Sequence, residues 1–137
     1  MSVVLDASIV MAGLFDEENS ERARDILATG IEAGFITPSL WRLEVANALR
    51  MAVRRQRCDE AFVDRSLGRL DAMSVAIDVE TDFHAWGKTL DLARQEGLTL
   101  YDAAYLELSM RAGASLASFD RDLVAAARRR GVDVLTV

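Results

Sequence analysis

Acidic residues end two predicted strands of this chain. Asp6 directly follows the β-branched run 3–5, and Asp120 follows the apolar run 115–119 in the same way. Each run has the pattern of a buried strand that ends at a carboxylate. Because ligands in open α/β sheets gather at the carboxyl ends of strands, we expect both acids at the mouth of one site.

Glu44 is predicted to lie on the buried face of a long helix over 40–55. The apolar residues of this helix recur at helical spacing, and Glu44 falls inside their stripe. The stripe consists of Trp41, Val45, Ala48, Leu49 and Ala52. A buried carboxylate needs a partner, and an internal salt bridge or a bound ligand would each supply one.

Asp102 is predicted to point inward from a helix that runs from Tyr101 to Ala112. At about 100° per residue, Arg111 lies roughly opposite Asp102, and Glu107 and Arg111 are expected to face solvent. An acid in the first turn can also simply complement the helix dipole. Both roles remain open for Asp102.

Four like charges on one rim would raise one another's pKa and destabilise the fold unless a cation neutralises them. These are the two strand-end acids and the two helix acids. A set of oxygen ligands with retained waters suits Mg²⁺ or Mn²⁺. Ser8 is expected either to support a metal-bound water or to cap the following helix. Of Asp120 and Asp122, one should be a helix N-cap, and we assign this role to Asp122 because Asp120 is nearer the strand end.

The elements that position these acids alternate along the chain. Helices are predicted over about 9–15, 20–33, 40–55, 60–73, 82–97, 101–112 and 121–130. Strands are predicted over 3–5, 35–37, 75–77, 115–119 and 132–137. This alternation indicates an α/β fold, with one domain over 1–137 and a mostly parallel sheet that helices cover on both faces.

The composition indicates an ordinary globular protein, which we expect to be cytoplasmic. The chain has 137 residues, of which 51% are hydrophobic and 28% charged. No apolar run reaches the roughly 18 residues of a membrane span, so we expect no membrane contact. The single cysteine, Cys58, permits neither an internal disulfide nor a zinc site.

The net charge of −6 argues against a protein that coats nucleic acid by bulk attraction. A local groove of arginines remains compatible with that charge. Arg50, Arg54 and Arg57 share one helical stripe that could contact RNA, although a solvated helix face explains them as well.

Four segments of the chain resemble the acidic motifs of PIN-domain nucleases, specifically the VapC-type toxins of toxin-antitoxin pairs. They are residues 5–8, 38–49, 100–106 and 116–120, and together they follow the family pattern along the whole chain. Ser118 stands where the family often has threonine, so the hydroxyl is retained. The candidates for supporting roles are Ser8, Asn47, Ser118 and Asp122.

The resemblance implies a PIN-like fold and a metal-dependent endoribonuclease. The metal ligands would be Asp6, Glu44, Asp102 and Asp120, and a metal-activated water would hydrolyse the RNA phosphodiester bond. The resemblance also implies a homodimer and a cognate antitoxin. We expect the antitoxin to cross the apolar early helix and to place a basic side chain among the acids. That helix contains Ile9, Val10, Met11, Leu14 and Phe15.

Two other functions fit parts of the pattern. A phosphoacceptor receiver domain also has acids at strand ends, but it needs a late lysine, and Lys88 is the only lysine here. A non-catalytic RNA-binding module could use the same fold. A metal-free ribonuclease would commonly need two histidines, whereas His84 is the only histidine and is expected to be structural.

Overall fold

A parallel sheet of five strands, in the order β3-β2-β1-β4-β5, forms the centre of the computed structural model, which describes residues 2–137. The strands are β1 (Val3–Leu5), β2 (Phe35–Thr37), β3 (Ala76–Ile77), β4 (Ser115–Ala117) and β5 (Val134–Leu135). The helices are α1 (Ala7–Leu14), α2 (Ser20–Ala33), α3 (Trp41–Arg54), α4 (Glu60–Asp71), α5 (Thr81–His84), α6 (Leu90–Glu96), α7 (Leu100–Ala112) and α8 (Arg121–Arg129). The predicted α/β class and parallel sheet are confirmed.

Strand β1 is the central strand, and it pairs with β2 on one side and β4 on the other. Val3 is in register with Phe35 and with Ser115. The backbone N–H of Asp6 then donates to the carbonyl of Ala117 at 3.0 Å. The chain therefore leaves β1 and β4 at the same edge of the sheet. From β1 the chain continues to β2 on one side, and from β4 it continues to β5 on the other side. Open α/β sheets bind ligands at such a point, where the strand order reverses.

Two strands, β4 and β5, are shorter than the predicted strands over 115–119 and 132–137. After Ala117, the Ser118 N–H still donates to the Leu135 carbonyl at 3.1 Å, but the N–H groups of Phe119 and Asp120 donate to the hydroxyls of Ser8 and Ser118, so β4 does not continue. Strand β5 is shorter than predicted at its start because the Val132 N–H closes the end of α8 by donating to Ala127. Side-chain acceptors and a helix end thus replace the ladder hydrogen bonds.

The predicted helix over 82–97 is interrupted. Helix α5 ends at His84, the chain makes a π-helical turn over Ala85–Thr89, and α6 begins at Leu90. Gly87 inside this turn has φ −108° and ψ −107°, far from helical values. A residue without a Cβ adopts such a conformation readily, so the continuous helix was a wrong prediction at this glycine.

Helix α7 is buried on nearly every side, which corrects the predicted solvent face. Residues 103–109 are all buried, and Glu107 is only 4% exposed. The Arg111 guanidinium donates to Glu107 at 2.8 Å and to Asp78 at 2.6 Å. Because Glu107 has this guanidinium as its ion-pair partner, it can lie inside the fold.

Helix α1 packs against α2 and α3, and part of its apolar surface is core. Ile9 and Val10 have no exposed surface, whereas Met11, Leu14 and Phe15 are partly exposed. Of the helix residues that we expect an antitoxin to cross, Ile9 and Val10 therefore belong to the core. Within residues 2–137, none of the helices has the length and apolar character needed to cross a membrane.

Candidate active site

Two hydroxyl groups hold the carboxylate of Asp6 at the end of β1. Ser8 Oγ donates to Asp6 Oδ2 at 2.6 Å, and Ser118 Oγ donates to the same oxygen at 2.7 Å. Each hydroxyl also accepts a backbone N–H from the turn after β4, Ser8 from Phe119 and Ser118 from Asp120, both at 3.0 Å. Ser8 thus contacts the site acid, and it does not cap α1.

Burial strongly affects the Asp6 carboxyl, whose side chain is only 6% exposed. Burial raises the pKa of Asp6, the two hydroxyl hydrogen bonds lower it, and the charge of Asp120 raises it further. The result is a raised pKa. A cation beside Asp6 would reverse this effect.

Glu44 is half-buried on α3, and its carboxylate contacts α7. Tyr105 Oη donates to Glu44 Oε1 at 2.5 Å. Burial raises the pKa of Glu44, the Tyr105 hydrogen bond lowers it, and the charges of Asp6 and Asp102 raise it. No arginine or lysine within residues 2–137 pairs with Glu44, so an internal salt bridge does not account for its position.

Asp102 is half-buried in the first turn of α7. Burial raises the pKa of Asp102 to about 6, together with the charges of Asp120 and Asp6. The N-terminus of α7 already has a cap, because the Thr99 hydroxyl accepts the Asp102 N–H at 3.1 Å. The neighbouring carboxylates therefore oppose ionisation of Asp102. An acid that only complemented the helix dipole would not have its pKa raised in this way.

The N-cap of α8 is Asp120, and not Asp122 as predicted. Asp120 Oδ1 accepts the N–H of Leu123 at 2.9 Å, while Asp122 is exposed in the first turn. The prediction was wrong because β4 ends at Ala117, so the helix begins directly after Asp120. Asp120 keeps its place in the site, since its charge raises the pKa of both Asp6 and Asp102.

The predicted acids thus form one electrostatically coupled group, which we call the acid cluster: Asp6, Glu44, Asp102 and Asp120. No cationic side chain of residues 2–137 pairs with any of them. Their donors are all oxygen atoms and their charge is uncompensated, which fits a hard divalent cation. As the side chains stand, however, no three acids, histidines or cysteines in that range converge tightly enough to hold an ion. A metal would have to draw these carboxylates closer together.

Arg57 lies outside the predicted arginine stripe of α3. Helix α3 ends at Arg54, and Gln56 has a φ of 61°, which turns the chain away from the helix axis. Arg57 then pairs with Glu17 at 3.3 Å, and its guanidinium lies 4.5 Å from the centre of the Phe15 ring. Arg57 therefore does not share one helical stripe with Arg50 and Arg54, because it lies beyond the end of α3 and after the turn at Gln56.

Three other predicted residues lie along the exposed side of α3. Asn47 is exposed one turn after Glu44, and Arg50 and Arg54 are exposed further along. Neither arginine forms an ion pair with an acid of residues 2–137. Their contact with RNA stays a prediction.

His84 and Lys88 do not contact the acid cluster. His84 lies on α5, where its Nε2 is 3.7 Å from Glu80 and its ring meets Phe83 edge-on. Lys88 is exposed in the π-helical turn. The structure thus places neither the base of a metal-free ribonuclease nor the lysine of a receiver domain beside Asp6.

Tyr105 is the site residue that the sequence analysis missed. Helical spacing puts Tyr105 on the same inward side of α7 as Asp102, which indicates burial but no chemical role. A buried tyrosine hydroxyl usually needs a hydrogen-bond partner, and the acid expected on the neighbouring helix was the available signal.

Comparison with known proteins gives consistent matches. The family model for the PIN domain matches residues 3–129. Ribonuclease VapC3 of Pyrobaculum aerophilum is 33% identical over 123 residues, which cover 90% of this chain and 92% of the relative. The predicted resemblance to PIN-domain proteins of the VapC type is therefore confirmed.

Solved structures agree on the fold. PAE2754 from Pyrobaculum aerophilum superposes with a TM-score of 0.71 at 26% identity, covering 98% of this chain and 84% of that one. Mycobacterium tuberculosis VapC20, described as a toxin that cleaves the sarcin-ricin loop, gives a TM-score of 0.68 at 18% identity and covers 91% of this chain and 95% of its own. The chain belongs to the PIN domain family.

Proposed function

We propose that this chain is a Mg²⁺- or Mn²⁺-dependent endoribonuclease that acts as the toxin of a type II toxin-antitoxin pair. The observation that carries the proposal is the acid cluster, whose carboxylates raise one another's pKa with no cationic side chain of residues 2–137 beside them. Similarity to a protein named ribonuclease VapC3 supports RNA as the substrate. The toxin description of VapC20, a structural neighbour, supports the biological role.

The acid cluster would hold the metal through Asp6, Glu44, Asp102 and Asp120. When bound, a divalent ion lowers the pKa of water and neutralises charge that develops on a phosphodiester. The hydroxyls of Ser8 and Ser118 keep the Asp6 carboxylate in place. The pKa of Asp102 is about 6, so a small fraction of the metal-free molecules keeps this carboxyl protonated near neutral pH. These molecules would release the proton on binding the ion.

The proposed substrate is single-stranded or looped RNA. Such RNA exposes its bases and lets its backbone approach a site at a sheet edge. Arg50 and Arg54, which are exposed and free of ion pairs within residues 2–137, would contact its phosphates. This supplies local attraction in a protein whose net charge is −6.

The proposed partners are a second copy and an antitoxin. Val79, Phe83 and Trp86 expose 93%, 82% and 91% of their surface, and exposed apolar side chains of this size support a protein contact such as a homodimer. The metal-free acid cluster would attract a guanidinium of the antitoxin, because one guanidinium can satisfy several carboxylate oxygens.

RNA cleavage assays test the enzymatic proposal. We expect the wild-type chain to cleave single-stranded RNA with Mn²⁺ or Mg²⁺, and EDTA to abolish cleavage. Asp6→Asn should remove activity and leave the protein folded, whereas Asp25→Asn, an exposed acid on α2, should match the wild type. Cleavage that persists in EDTA would overturn the metal dependence, and Asp6→Asn activity within a few-fold of wild type would overturn the site.

A further inference from the structure

The side chain of Tyr105 lies among the acids, although packing alone would not require its hydroxyl. Tyr105 is fully buried in α7, one turn after Asp102. The hydroxyl of Tyr105, which contacts Glu44, also interacts with the charge of Asp6 and with the backbone N–H of Ala7. Phenylalanine would fill this volume without placing a polar atom in the core.

The hydrogen bond leaves the two oxygens of Glu44 in different environments. An ionised carboxylate only accepts hydrogen bonds, so the hydroxyl of Tyr105 must donate to Oε1. No group within residues 2–137 donates to Oε2. Glu44 is thus held by one oxygen, while the other is available to a ligand.

We propose that Tyr105 is a positioning residue that fixes Oε1 of Glu44 and leaves Oε2 for the divalent cation. The inference rests on the proposed function, because it assumes a metal at the acid cluster. Carboxylate ligands of metals are commonly oriented by such hydrogen bonds. One helix, α7, then supplies Asp102 directly and also orients Glu44 from α3, 61 positions earlier in the chain.

A double-mutant cycle tests whether Tyr105 acts through Glu44. Binding of MnCl₂ to the metal-free chain would be measured by EPR of free Mn²⁺, for wild type, Tyr105→Phe, Glu44→Gln and the double variant. We expect Tyr105→Phe to weaken Mn²⁺ binding about tenfold. In the Glu44→Gln background, the same substitution should change the affinity less than about twofold, because contacting residues are not additive.

The chain offers a matched control in its other tyrosine. Tyr101 lies on the same helix next to Asp102, but it is 64% exposed. Tyr101→Phe should leave Mn²⁺ affinity unchanged, and thermal unfolding of each variant reports the fold separately. If Tyr105→Phe lowers the melting temperature and leaves Mn²⁺ affinity intact, Tyr105 is only a core residue and the inference is wrong.

A spectroscopic measurement covers the case in which Tyr105→Phe does not fold. Tyrosine labelled with ¹³C at Cζ, in the Tyr101→Phe background, gives one signal from Tyr105. Saturating Mg²⁺ should shift this signal, and Glu44→Gln should remove most of the shift. An undiminished shift in Glu44→Gln would overturn the inference. A wild-type chain that binds no Mn²⁺ would remove the proposed function itself, and the inference with it.

Discussion

Ser118 Oγ donates to Asp6 Oδ2 at 2.7 Å and so joins the ends of two neighbouring strands across 112 positions of the chain. The same hydroxyl accepts the N–H of Asp120 at 3.0 Å. One buried side chain therefore fixes an acid after β1 and the turn that carries the acid after β4.

Ser118→Ala should destabilise the protein and impair cleavage. It removes a donor from the buried Asp6 carboxylate and an acceptor from the Asp120 N–H, which should cost about 1–3 kcal/mol of unfolding free energy. Urea unfolding measures the first effect, and RNA cleavage measures the second. Ser118→Thr keeps the hydroxyl and should retain activity, so an equal loss in both variants would contradict the role of the hydroxyl.

Arg111→Ala should be among the more damaging substitutions far from the acid cluster. It leaves the carboxylates of Asp78 and Glu107, which are 7% and 4% exposed, without their shared guanidinium. Breaking a buried ion pair in this way costs about 3–5 kcal/mol. Arg24→Ala, which breaks an exposed pair with Asp16, should cost less than about 1 kcal/mol in the same unfolding assay. Equal costs would contradict the burial of this network.

These two hydrogen-bonded networks also show what the sequence could predict. The strand-end position of Asp6 and the stripe position of Glu44 follow from local periodicity, and the structure places both in the acid cluster. The burial of Glu107 does not follow from periodicity, because it depends on an arginine that is shared with Asp78, 33 positions from Arg111.

Sequence periodicity also could not predict that Asp120, and not Asp122, is the N-cap of α8. Which of two nearby acids caps a helix depends on the residue at which the preceding strand ends. Here that end is set by the hydroxyls of Ser8 and Ser118, which take N–H groups from the turn. The contact between Tyr105 and Glu44 likewise joins two helices. Local patterns predict the faces of helices, but not which polar atoms meet across them.

The stability of the metal-free protein should fall as pH rises through the range in which Asp102 ionises. Its pKa is raised from 3.8 to about 6, so the folded state binds more protons than the unfolded state between these values. The folded state is therefore favoured at the acidic end of this window, and the advantage is lost by about pH 7. Urea unfolding of Asp102→Asn minus wild type should give a difference that grows from pH 4 to pH 7. A flat difference would show that Asp102 ionises normally.

The RNA products should carry 5′-phosphate and 3′-hydroxyl ends. In the proposed reaction a metal at the acid cluster would supply an activated water as the nucleophile, so the ribose 2′-hydroxyl would not be consumed. Sensitivity of the downstream fragment to a 5′-phosphate-dependent exonuclease, together with mass spectrometry, identifies the ends. Cyclic 2′,3′-phosphate termini would instead indicate acid-base catalysis, and His84→Ala would then become the informative variant.

The antitoxin should lose affinity when the acid cluster loses two of its charges. A guanidinium inserted between Asp6 and Asp102 makes charge-assisted hydrogen bonds worth about 1.5–3 kcal/mol, so Asp6→Ala with Asp102→Ala should weaken the complex about tenfold to a hundredfold. We propose any small protein encoded next to this chain as the candidate partner, and calorimetry measures its affinity. Asp25→Ala with Asp91→Ala removes two charges from exposed positions and should leave binding within about twofold, since exposed charges are screened by salt. If both double variants bind alike, long-range attraction or apolar contact holds the antitoxin, and insertion into the acid cluster is wrong even where the ribonuclease activity stands.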